Sequence, residues 1–96
     1  MAVNSALTRR RKIASETVMA DAKALVANAI RFHRAARGWT LADLGERTGV
    51  SIATVHRWER GLSLTLDVVD LVAKALGIHP FELFVWRELV PLEEVD

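Results

Sequence analysis

The chain has 96 residues, of which 51% are hydrophobic and 26% charged, with no cysteine and a net charge of +1. This composition excludes a disulfide framework and thiolate metal binding, and it is too apolar for a disordered chain. The length fits one domain. No apolar run approaches the roughly 18 residues of a membrane span, and residues 1–12 lack an apolar signal-peptide core. A soluble cytoplasmic chain with no membrane partner is expected. The charge is unevenly spread. Residues 1–48 hold nine Lys/Arg against four Asp/Glu, and residues 49–96 hold four against eight. The basic half suits an acidic partner such as nucleic acid, or equally a solvated face with a charged tail.

Residues 1–15 read as a basic arm built around Arg9, Arg10, Arg11 and Lys12, residues 16–86 as the folded domain, and residues 87–96 as an acidic tail. Apolar spacing predicts a first helix over residues 18–37 with Val18, Ala22, Leu25, Ala29, Phe32 and Ala36 on one face, ended by Gly38. Thr40 caps a second helix over residues 41–48, whose Leu41 and Leu44 point inward. Gly49 turns the chain, and Ser51 caps a third helix over residues 51–60 with Val55 and Trp58 on its core side. Gly61 stops it. Thr65 caps a fourth helix over residues 66–76 with the stripe Leu66, Val69, Val72, Ala73 and Leu76. His79 caps a short fifth helix that starts at Pro80, carries Phe81, Leu83, Phe84 and Trp86, and ends by Pro91. No segment alternates with a period of two, so the expectation is all-α with five helices.

The stretch from Thr40 to Gly61 packs two short helices around a tight turn. The helices can cross closely only at a small residue, which Gly45 supplies. The turn needs positive φ, which Gly49 supplies. Leu44, Val55 and Trp58 lock the third helix from behind. Its outer face then stays free, and a free helix fits the roughly 12 Å major groove of DNA.

Residues 26–84 resemble the helix-turn-helix regulators of the Cro and lambda-repressor (Xre-like) type. The resemblance rests on Arg34 to Gly38, Leu41-Ala42-Asp43-Leu44-Gly45, Gly49-Val50-Ser51, Trp58-Glu59-Arg60-Gly61, Thr65-Leu66-Asp67, Ala73-Lys74-Ala75-Leu76-Gly77 and Pro80-Phe81-Glu82-Leu83-Phe84, all in register. It implies a five-helix lambda-repressor-like DNA-binding domain with double-stranded DNA as partner, and a structural ion pair between Arg34 and Glu59. It also implies base contacts from Ile52, Ala53, Thr54 and Arg57. Arg57 can bond guanine O6 and N7 together, while Ile52 and Ala53 offer only apolar contact to thymine methyls. Phosphate contacts are expected from Thr40, the backbone at Leu41, Ser51, His56 and Arg60.

Two departures from the family pattern qualify this. Leu41 stands where many members have a phosphate-binding Gln, and Leu62-Ser63-Leu64 replaces a loop that is often basic. The Arg9–Lys12 arm can supply the missing phosphate contacts. Leu62, Leu64, Trp86, Leu89 and Val90, together with Val85, form a candidate surface for a homodimer or another protein. The functional expectation is a transcription regulator, a repressor of phage or plasmid type, associated with the nucleoid when bound to DNA. The alternatives are the antitoxin of a toxin–antitoxin pair and a protein-interaction module on the same fold. His33, His56 and His79 lack metal-ligand spacing. No phosphate loop, catalytic dyad or nucleophile elbow is present, so neither metal, cofactor nor enzyme activity is expected.

Overall fold

A computed structural model of the chain describes residues 22–85. The basic arm, the acidic tail, Trp86, Leu89 and Val90 lie outside the described residues. Within them, α1 occupies residues 22–36, followed by α2 (Leu41–Thr48), α3 (Ile52–Trp58) and α4 (Leu66–Leu76). The expected fifth helix is a correction: Pro80–Phe84 forms a 3₁₀ helix. Among the described residues there are thus four α-helices, one 3₁₀ helix and no strand. Val85 turns extended after five residues, so the segment is too short to settle into an α-helix.

The starts of α2, α3, α4 and the 3₁₀ helix are each fixed by the side chain of the capping residue. Thr40 accepts from Asp43 N–H and Asp43 accepts in return from Thr40 N–H, a reciprocal capping box. Ser51 accepts from Thr54 N–H, Thr65 from Val68 N–H, and His79 Nδ1 from Phe81 N–H. α3 stops at Trp58, two residues short of the expected end. The chain then closes with Gly61 N–H on Trp58 O and Leu62 N–H on Arg57 O, the bond pattern that ends a helix through a left-handed glycine.

The core gathers Val26, Ala29 and Ile30 of α1, Leu41 and Leu44 of α2, Val55 and Trp58 of α3, Val69, Val72, Ala73 and Leu76 of α4, and Leu83. This corrects the inward face expected for α1 in part, for Ala29 of that face is in the core. Ala22 and Ala36 are exposed, and Leu25 and Phe32 only half-buried. The helix is rolled so that Val26 and Ile30 enter the core, which also carries Arg34 to Glu59, the residue that caps the end of α3. Burying Ala22 and Ala36 would gain little, because a methyl offers little apolar area. Leu66 is a second correction. It sits at the first position of α4, one turn beyond the core contact of Val69, and is 80% exposed.

Candidate nucleic-acid interface

The geometry of the site starts at the α2–α3 turn. Gly49 holds φ 77, a left-handed conformation that a residue with a Cβ adopts only at a cost. Val50 N–H bonds back to Gly45 O at 2.9 Å, which folds the turn onto α2. A Cβ built on Gly45 would lie 2.8 Å from Val50 O. The two helices therefore approach as closely as they do because position 45 has no side chain.

This turn presents α3 with two distinct sides. Val55 and Trp58 are buried and hold the helix to the core. Ile52, Ala53, His56, Arg57 and Arg60 are exposed, and Thr54 is half-buried. Ser51 and Thr54 place their hydroxyls 3.0 Å apart. One hydroxyl hydrogen is used between them, so the other remains able to donate to a base or phosphate.

The end of α3 is anchored by charge. Arg34 Nε donates to Glu59 Oε2 at 2.6 Å and Arg34 Nη2 to Glu59 Oε1 at 2.9 Å. Arg34 and Glu59 are 2% and 1% exposed, so this is an interior pair. Arg34 Nη1 also donates to Trp39 O at 2.7 Å. One guanidinium thereby ties α1 to the end of α3 and to the residue before the α2 cap.

Sequence reasoning missed a second arginine at this junction. Arg31 is buried, donating through Nη1 to Glu59 O and through Nη2 to Asn28 Oδ1 at 3.5 Å. Burial lowers the Arg31 pKa, with the Glu59 carboxylate opposing the shift and the Arg34 charge adding to it. Arg37 is likewise structural, donating to His33 O and to Leu76 O near the end of α4, both at 2.7 Å. Arg47 stacks over the Trp39 ring at 4.0 Å. Arg31 and Arg34 are thus spent inside the fold, while Arg37 and Arg47 stay exposed with their guanidinium groups held in place, so charge counting overstates the basic surface by the two buried groups. The carbonyls of Glu59 and Leu76 lie 28 and 39 residues from the arginines they hold, and no local pattern reveals them.

The start of α2 is less welcoming to phosphate than its position suggests. Leu41 buries its side chain, leaving only its backbone to meet a ligand. The Asp43 pKa is lowered, chiefly by the hydrogen bond from Thr40 backbone N–H and then by that from the Thr40 side chain. An ionised carboxylate at a helix start competes with an incoming anion. Leu62 is 52% exposed, whereas Leu64 is half-buried and packs against the core.

A short helix, a glycine turn and a second helix with one face locked and one face free define a helix-turn-helix unit, the DNA-binding class of regulators. The chain belongs to the helix-turn-helix family of the Cro and lambda-repressor type, the family description "Helix-turn-helix" matching residues 30–83. Among solved structures it is similar to a hypothetical transcription factor, NHTF, from Neisseria, with 26% sequence identity and a TM-score of 0.66. That likeness covers 71% of this chain and 79% of the Neisseria chain. No curated protein sequence matches the chain. No described helix is long and apolar enough to cross a membrane.

Proposed function

We propose that the protein is a sequence-specific transcriptional repressor that binds its operator as a homodimer with α3 in the major groove. The observation that carries this reading is the division of α3: Val55 and Trp58 are locked in the core, while Ile52, Ala53 and Arg57 face outward. Arg57 reads guanine through paired hydrogen bonds, Thr54 donates or accepts at a neighbouring base edge, and Ile52 and Ala53 pack on thymine methyls. Ser51, His56, Arg60, Thr40 and the Leu41 backbone set the helix on the phosphates. With Arg31, Arg34 and Arg37 committed to internal bonds, the Arg9–Lys12 arm carries much of the nonspecific attraction. A twofold dimer suits a palindromic operator with half-sites about 34 Å apart. A mobility-shift titration over a salt series tests the reading. Binding that weakens steeply with salt, and is reduced on removal of residues 1–12, supports it. Absence of a shift at low salt on any duplex turns the assignment toward a protein-interaction module.

A further inference from the structure

An apolar groove of about 160 Å³ opens where α1, the loop before α4 and the 3₁₀ helix meet. Ala22, Val26, Leu64, Leu66, Val69 and Phe84 are among its lining residues. Leu66 is 80% and Phe84 42% exposed, so two large apolar side chains stand at its mouth without cover. Apolar cavities of about 150 Å³ accept a benzene ring, so the groove has room for an aromatic side chain. The described chain ends beside it: Phe84 lines the groove, and Val85 is extended at φ −95, ψ 132. The residue two beyond Phe84 is Trp86, the next large aromatic in the sequence.

We propose that Trp86 of the same chain seats its indole in this groove and closes the core between α1 and α4. This assigns Trp86 to the fold rather than to a dimer or partner surface. It is independent of what the protein binds, because no residue of the α3 face takes part. The test is a nuclear Overhauser experiment on the full chain, mixed from equal parts of carbon-13-labelled and unlabelled protein. The expected result is cross-peaks between the Trp86 ring and the methyls of Leu64 and Val69 within one chain. Cross-peaks only between labelled and unlabelled chains would show a second copy filling the groove and overturn the proposal. Absence of any cross-peak would overturn it as well. A thermal melt gives a second reading. Leu66→Ala is expected to lower the midpoint by several degrees in the natural chain and by less than half as much in a Trp86→Ala background. Equal losses in both backgrounds would contradict the contact.

Discussion

Arg34 and Glu59 meet through two parallel hydrogen bonds, of 2.6 and 2.9 Å, between groups 25 residues apart and almost wholly removed from solvent. Their pairing sets the roll of α1, fixes the end of α3 and, through Trp39 O, the approach to α2. The orientation of the DNA-facing helix therefore depends on a charge pair that does not itself face DNA.

Removing one partner strands the other in the interior. Breaking such a buried pair costs about 3–5 kcal/mol. With about 4–8 °C of melting temperature per kcal/mol in a domain of this size, Arg34→Ala is expected to lower the melting temperature by more than about 10 °C by circular dichroism. Arg34→Lys keeps the charge but loses the fork, and is expected to fall between. A melting curve unchanged by Arg34→Ala would remove the pair from its structural role.

Gly45→Ala sets two effects against each other. Alanine gains up to about 1 kcal/mol of helix propensity. Its Cβ would lie 2.8 Å from Val50 O, a backbone atom that moves only if the turn moves, and overpacking of this kind costs about 1–3 kcal/mol. The clash is expected to win, giving a net loss of stability in denaturant unfolding and weaker DNA binding as α3 shifts. A gain in the unfolding midpoint would show that the turn yields freely.

The acid limb of stability contains a contribution from Asp43. Its folded pKa is depressed by the capping hydrogen bonds with Thr40. A depressed carboxyl stabilises the fold above its unfolded pKa, near about 4, and loses that contribution as pH falls through the lower folded value. Asp43→Ala is therefore expected to lower stability at pH 7 and to flatten the decline below about pH 4. Parallel stability curves for the two proteins at all pH values would contradict this.

Two exposed arginines should separate specificity from attraction. Arg57→Ala is expected to cost about 1–3 kcal/mol on the preferred site and to relax the choice of one base pair. Arg60→Ala is expected to weaken binding on all sequences alike and to reduce the salt slope by about one. Competition titrations with preferred and scrambled duplexes distinguish them. The same loss from both variants on both duplexes would contradict the division of labour.

The features legible in the sequence were those that short spacings determine. Thr40, Ser51, Thr65 and His79 act within three residues of their partners, and the core side of α3 follows from Val55 and Trp58 alone. The roll of α1 was only partly legible: Ala29 of the expected face is in the core, but Ala22, Leu25, Phe32 and Ala36 have helical spacing too, and a distant partner selects Val26 and Ile30 to accompany it. The burial of Arg31 and the contacts of Arg37 were not legible, because carbonyls at Glu59 and Leu76 leave no mark in composition. Leu66 fits the apolar period of α4 yet stands outside the core, since periodicity does not say how far a core extends along a helix. The pairing of Arg34 with Glu59 was suggested only by resemblance to a family, not by any pattern within the chain.

The outer face of α3 is the surface proposed to read a DNA sequence. Selecting bound sites from a random duplex pool, with the natural chain and Arg57→Ala side by side, tests it most directly. The expected result is a palindromic motif with a guanine in each half-site, whose preference disappears in Arg57→Ala while the rest of the motif persists. No enrichment with the natural chain, or an identical motif from both proteins, would contradict the account.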